Sequence, residues 1–417
     1  MAILPLEGYR VIDFGWVWAG PMVGAILADL GAEVIKVESR GRLDNLRSVG
    51  RPISRSFVLD PAERELAGEE IELVPMFHNV NRNKLSLSLN LKHPQAPDLV
   101  RELVAISDVV LDNFTPQVLD RLGLGYEALR QIRPDLILIS MSAAGQSGPL
   151  RDIRTYAPAL TSLAGLEGLV GYAGGPVLGM LTFGYGDPSA AVWGALAVLA
   201  ALYQRETSGQ GQYIDMSQLE ATVCLMGEAI LEYELNGRVL GPQGNHRQGM
   251  SPHALYPGRG EDRWVAIAVA TQEEWQGLCR ALEDPAWTRE ERFADPARRQ
   301  EHQEALDGRI AEWTRQHTPE EASEILQREG VAATPVLDIE GQQAHPHFQA
   351  RQLYVNCHHS AAGPETLNAL PWKLSEASAE VRRSAPLLGE HNAYILGELL
   401  GKTPAEIARL TEEKVLY

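Results

Sequence analysis

Asp187 stands between Gly186 and Pro188, at the mouth of the apolar run Ala190–Leu202. An aspartate followed by proline starts a helix well, because the carboxylate accepts from free backbone N–H groups and proline's missing donor is not needed there. A carboxylate can also be a nucleophile: with an ordinary pKa near 3.9 it is ionised at neutral pH without help from a base. The preceding Gly184-Tyr185-Gly186 makes a bend onto which other backbone or a ligand can close. On these residues alone, cap and reagent both stay open. Cys357-His358-His359 is a second candidate for chemistry, but adjacent residues on extended chain point to opposite sides and no second ligand cluster accompanies them, so no metal centre is expected. Cys224 and Cys279 lie far from Cys357 and from each other, which gives no paired secreted framework and fits a reducing compartment.

The scaffold that delivers Asp187 is legible in the patterning. "YRVIDF" is a short apolar strand, "PMVGAILADLG" an amphipathic helix opened by Pro21 and stopped by Gly31, and "AEVIKVE" the next strand. "LSLSLNL", "DVVLDNF" and "DLILISM" read as further strands, with helices at "APDLVRELVAIS" and near Tyr126–Ile132 between them. The expected class is α/β, an open parallel Rossmann-like sheet with helices on both faces. The turn "GWVWAGP" lacks the three glycines of a dinucleotide fingerprint, so NAD is rejected even though Glu38 ends the second strand where a ribose-binding acid would sit. Residues 50–77 read as an inserted loop with a short helix.

After Gly209-Gln210-Gly211 the chain shows a strand "QYIDMS", a helix over Gln218–Glu234 and a turn-rich stretch. "RWVAIAV" and helices at Gln272–Leu282, Glu301–Gln316 and Pro319–Glu329 form a smaller α+β unit, with Thr318 as a cap. "ATPVLDI" and "QLYVNCH" are strands, and Gly389–Leu410 is helical. The expected organisation is a large domain over 1–215, a linker over 216–245, a small domain over 246–340 and a return segment over 341–417 that completes the large domain.

The chain has 417 residues and a net charge of −18, which argues against a broad nucleic-acid surface and leaves room for a phosphate-bearing small ligand only where basic groups cluster. Glu7, Arg10 and Asp13 interrupt the start, so no signal peptide is expected. Ala190–Leu202 is shorter than the roughly 20 residues of a spanning helix. A cytoplasmic protein without a membrane partner is the reading.

Five segments in order resemble the class III CoA-transferases, the family that includes formyl-CoA transferase, carnitine CoA-transferase and α-methylacyl-CoA racemase. They are "LEGYRVIDFGWVWAGPMVGAILADLGAEVIKVE", "NRNKLSLSLNLKHPQ", "DVVLDNFTPQVLDRLGLGYEALRQIRPDLILISMSAAGQSGP", "GYGDPSAAVWGALAVLAALYQRETSGQGQYIDMS" and "PLLGEHNAYILGELLG". The resemblance implies that Asp187 is the nucleophile, passing through an aspartyl anhydride and an aspartyl-CoA thioester. It implies CoA contacts at Val17, Ala19, Arg40, Leu89, Lys92, Asn113, Phe114, Arg121 and Arg154. Trp16 and Trp18 would pack on adenine or on the acyl group, Tyr156 would meet the acyl group, and His246 and Arg247, in the glycine-rich loop "GPQGNHRQG", a substrate carboxylate. No cofactor is tightly bound; CoA and acyl-CoA are substrates, with succinyl-CoA and an aryl or dicarboxylic acid as the implied pair. The family also implies an interlocked homodimer, or a heterodimer with a related subunit. Racemases of this kind carry a histidine where "GPLRDIRTYAPAL" has Tyr156, and tyrosine is a poor base at neutral pH. An acyl-CoA racemase or isomerase, and a non-catalytic CoA-binding subunit of a heteromer, are the alternatives.

Overall fold

Short runs of Val, Ile and Leu form six strands: β1 (Arg10–Asp13), β2 (Glu33–Glu38), β3 (Leu85–Ser88), β4 (Val109–Asp112), β5 (Ile137–Ser142) and β6 (Gln212–Ser217). In the computed structural model, which describes residues 3–48, 68–180 and 184–417, they pair in the order β3-β2-β1-β4-β5-β6. Every pairing is parallel. Most of these strands are apolar along their length because helices cover both faces. On one face Val11, Val34, Val109 and Ile137 pack against the helices Ala19–Asp29 and Gly186–Ser208. On the other, Ile12, Ile35, Val110 and Leu138 meet the Ala96–Ala105 helix together with Ile395, Leu396 and Leu410.

The alternation in "LSLSLNL" does not mark a half-exposed strand, since all four residues of β3 are buried. β3 is a sheet edge, and the segment around Gly389–Asn392 covers it: the His391 amide donates to the Ser86 carbonyl (3.1 Å) and the Ser88 amide to Asn392 Oδ1 (2.9 Å). Gly389 is at φ +71, and a Cβ there would come within 2.9 Å of Ser88 Cβ, so the close approach needs glycine.

The Gly186–Ser208 helix is longer than its apolar run, 23 residues, and by length and composition alone could cross a membrane. It is instead a packing element of the sheet, with Ala190, Ala191, Ala195, Val198, Ala201 and Leu202 buried. Gly194 lets it lie directly on its neighbours, since a Cβ there would meet Val23 at 3.0 Å and the Met141 sulfur at 3.2 Å.

Other expected helices are broken. The stretch after β6 divides into Gln218–Val223 and Gly227–Asn236 around a tight turn at Cys224–Met226. The tail is not one helix: a π-turn over Tyr394–Leu399 ends before Gly401 at φ +67, and Thr403 caps a separate helix, Pro404–Glu412. Near Tyr126 the helix runs only over Tyr126–Leu129. Of the inserted loop at 50–77, residues 49–67 lie outside the described residues; the rest contains Glu69–Glu72 and the helix Pro75–Asn81.

The chain separates into two units, one of Met1–Gly165, Thr182–Gly227 and His347–Tyr417, the other of Leu166–Leu181 and Glu228–Pro346. In the first, β10 (Tyr354–His359) and β11 (Gly363–Asn368) make an antiparallel hairpin, after the second unit's strands. His359 stacks on His78 at 3.9 Å, and His78 pairs with Glu365 at 2.6 Å, so the Cys357-His358-His359 stretch ties this hairpin to the Pro75–Asn81 helix. The second unit carries an antiparallel sheet of β7 (His253–Pro257), β8 (Trp264–Ala268) and β9 (Ala332–Pro335). Tyr256, Val265, Ile267 and Ala333 pack with Leu278, Ile310 and Leu326 of its helices. Thr318 does cap: its hydroxyl accepts from the Glu321 amide (3.2 Å), in a reciprocal box with the Glu321 carboxylate.

Candidate active site

The turn after β1 is held from four directions. Asp13 accepts from the Gly15 amide (2.7 Å), Asn113 from the Trp16 amide (2.7 Å) and Asp44 from the Val17 amide (3.0 Å), while the Lys36 ammonium donates to the Gly15 carbonyl (2.8 Å). The bonds explain how Val17 keeps φ +62, a costly conformation for a β-branched residue. Beneath lies a buried ion network: Lys84 with Asp13 (2.7 Å) and Lys36 with Asp44 (2.9 Å). Burial pulls Lys84 down to about 8, which still leaves it protonated at neutral pH.

Beyond this turn, at the carboxyl ends of β1 to β4, opens a cleft of about 660 Å³. Strand order reverses between β1 and β4, where open α/β sheets take their ligands. Trp16, Val17, Leu89, Lys92, Asn113, Phe114 and Arg121 all line the cleft. Asn113 also holds the turn: its amide nitrogen donates to the Trp16 carbonyl (2.8 Å), so both ends of the amide are engaged there. Ala19 is buried in the core, and Arg40 lies beside the cleft with its amide bonded to the Tyr417 carbonyl (2.7 Å). Arg154 is exposed and outside the cleft lining. Sequence reasoning missed Arg42, whose guanidinium lies 4.4 Å from the Trp16 ring, and Tyr417, because neither belongs to a motif.

Trp18 sits three residues after Gly15, at the start of the Ala19–Asp29 helix, and faces a different neighbour. A point one Cβ away from Gly184 would lie 3.4 Å from an Asp187 carboxylate oxygen, 3.8 Å from the Trp18 ring and 2.8 Å from Ala157 Cβ. Any side chain at 184 would therefore collide, and glycine there lets the three elements meet. Tyr156, exposed at the start of the Ala157–Leu163 helix, precedes Ala157 at this corner. Asp187 is the second residue of its helix and makes no cap; its carboxylate has no hydrogen-bond partner among the described residues. Burial pushes it up to about 6. Asp112 is also raised to about 6 by burial, but the Ser140 hydroxyl and the Phe114 amide engage it. Asp187 is half-buried and has no such partners among the described residues.

His246 and Arg247 belong to the second unit, in a groove of about 640 Å³ over the open face of β7–β9. Both already have acidic partners, His246 in Asp307 (3.2 Å) and Arg247 in Glu228 (3.3 Å).

Residues 6–392 match the CoA-transferase family III profile. The chain belongs to that family. It is 34% identical over 99% of its length to 98% of the succinyl-CoA–D-citramalate CoA-transferase of Chloroflexus aurantiacus. It is 32% identical, again over 99% of its length and 98% of the relative, to the succinyl-CoA–L-malate CoA-transferase beta subunit of that organism. Among solved structures, a CaiB/BaiF family protein from Brucella suis superposes with a TM-score of 0.82 at 28% identity, over 96% of this chain and 100% of that one. This family III CoA-transferase is thus an enzyme whose substrates are CoA thioesters.

Proposed function

We propose that the enzyme moves CoA from succinyl-CoA to a dicarboxylic acid through covalent intermediates on Asp187. The observation that carries this is the single turn Gly15–Trp18, which has Trp16 and Val17 in the wall of the cleft and Trp18 against Gly184, the glycine that the Asp187 carboxylate also flanks. A CoA thioester lying in the cleft with its phosphates toward Lys92 and Arg121 would reach that carboxylate along the turn. Asp187 then attacks the thioester carbonyl, forming a mixed anhydride and releasing CoA thiolate. The thiolate attacks the aspartyl carbonyl, giving aspartyl-CoA thioester and free succinate. The acceptor carboxylate displaces the thiolate to form a second anhydride, and the thiolate attacks its acceptor carbonyl, which returns Asp187 as carboxylate. No electron or net proton is exchanged. Burial makes Asp187 more basic than an ordinary carboxylate and so a better nucleophile, yet at pH 7 it is still about nine-tenths ionised.

The donor and the dicarboxylic acceptor are supported by the likeness to the citramalate and malate enzymes. Incubating the enzyme with succinyl-CoA and then hydroxylamine should convert one carboxylate into a hydroxamate, seen as a mass change on the Asp187 peptide. Labelling elsewhere, or none while exchange proceeds, would contradict the covalent route.

The working form proposed is the interlocked homodimer. Val192, Trp193 and Leu196 are 58%, 43% and 54% exposed on the Gly186–Ser208 helix, an apolar surface that a second copy would cover. Solution scattering should give twice the chain mass at working concentration; a monomer that still exchanges CoA rules the dimer out as the working form. The likeness to a beta subunit supports a second reading, in which a related chain takes the place of the second copy. CoA exchange by the purified chain alone decides between the two.

A further inference from the structure

We propose that Tyr417 is a stacking platform for the nucleobase of CoA, an inference that rests on the cleft's being the CoA site. β2 and β3 pair side by side up to Glu38 and Ser88, and beyond that point the segment Val415–Tyr417 inserts between their ends. The Asn90 amide donates to the Val415 carbonyl (2.8 Å) and the Arg40 amide to the Tyr417 carbonyl (2.7 Å), so Val415 and Tyr417 bridge the two strand ends. Val415 and Leu416 are buried in the sheet's core and anchor it. Tyr417 itself is only half-buried and forms part of the cleft wall. The Lys414 ammonium sits 5.1 Å from the centre of its ring.

The cleft has to accept a flat base, a ribose and phosphates at one end. Its phosphate-binding cation Lys92 follows Asn90 by two residues, and the Lys92 amide donates to Asn90 Oδ1 (3.2 Å). The loop that carries Lys92 is thus the loop to which Val415 is bonded, which brings the phosphate contact and the Tyr417 ring to the same rim. The other aromatic rings of the lining, Trp16 and Phe114, pack edge to face on each other at 6.0 Å, and the Arg42 guanidinium covers the Trp16 ring at 4.4 Å. The base therefore falls to Tyr417, and the pantetheine arm to Trp16 and Phe114.

The test is calorimetric titration of the intact protein with two probes, CoA and adenosine 3′,5′-bisphosphate, the latter carrying the nucleotide and no pantetheine. Tyr417→Ala should weaken both by roughly tenfold and by the same factor, and Tyr417→Phe should bind both like wild type. Tyr417→Leu keeps apolar bulk but has no π-face; it should behave like alanine, with an unchanged melting temperature in all three variants. Wild-type affinity in Tyr417→Leu would show that the side chain only fills space and overturns the proposal. Loss of CoA binding with bisphosphate binding intact would place the ring elsewhere and overturns it too. Lys92→Ala separates the layers: if it weakens CoA while Tyr417→Ala does not, the platform fails and the cleft stands. If neither variant changes CoA binding, the cleft reading falls and the Tyr417 inference with it.

Discussion

Asp187→Asn is expected to lower CoA exchange on the order of a thousandfold or more, because an amide cannot form the anhydride. The substitution preserves shape, and since the Asp187 carboxylate makes no cap, helix capping gives no reason for the protein to weaken. Its stability should rise. The folded pKa of about 6 lies above the unfolded value, so the ionised form carries a penalty in the fold that sets in as pH rises from about 4 through 6. Asparagine has no such penalty, and at pH 7 the variant should gain about 1–3 kcal/mol, read as a higher denaturant midpoint. Activity follows the opposite sign: kcat/KM of the wild type should fall about tenfold per unit as pH drops below 6, where the nucleophile becomes neutral. Full activity in an Asn variant shown by mass to be free of deamidation would sink the mechanism.

Asp13→Ala should have the largest effect on stability, about 3–5 kcal/mol, because it strips from a fully buried lysine the carboxylate that pairs with it among the described residues. Lys84 would keep just the Pro21 carbonyl (2.8 Å) and the Asn81 side chain (2.9 Å). Gly24 shows how tightly the pair is enclosed: a Cβ there would lie 2.6 Å from Asp13 Oδ2 and 3.1 Å from Lys84 Nζ, so no side chain could move in to compensate. The Gly15 amide would lose its acceptor too, loosening the turn that lines the cleft and weakening CoA binding. Removing both charges together, Asp13→Ala with Lys84→Met, should recover much of the loss. Urea titration of the two variants checks this; a cost below about 1 kcal/mol for Asp13→Ala would mean that Lys84 is not charged in the fold.

Much of the architecture is written locally. The strands β1 to β5, the Ala19–Asp29 helix and the Thr318 cap follow from runs of apolar residues, Pro and Gly at helix ends and one hydroxyl ahead of two glutamates, and each of these acts over a few neighbouring residues. The motif resemblance likewise marked seven of the residues that line the cleft, because the turns after parallel strands are short and bring successive motifs to one edge. The tail was less legible: Gly401 and Thr403 are both visible as a stop and a start, but the apolar spacing on either side hid them.

What only the tertiary structure decided is where each group lies relative to solvent and to chain far away in sequence. Nothing in "GYGDPS" tells whether the carboxylate caps its own helix or is buried by the Gly184 corner that Trp18 also meets, and the direction of its pKa depends on that burial alone. Asn113 was legible as a motif residue but not as the clamp of a turn 97 positions away. Ala19 and Arg154 matched a motif and yet are turned from the cleft, whereas Tyr417 matched none and reaches it through pairing with Arg40 and Asn90. The sequence by itself determined the elements and the nucleophile candidate, since helix periods, caps and short turns are near-neighbour physics. The fold decided which charges are desolvated and which distant segments share a wall, since those are set by packing between elements that no local pattern encodes.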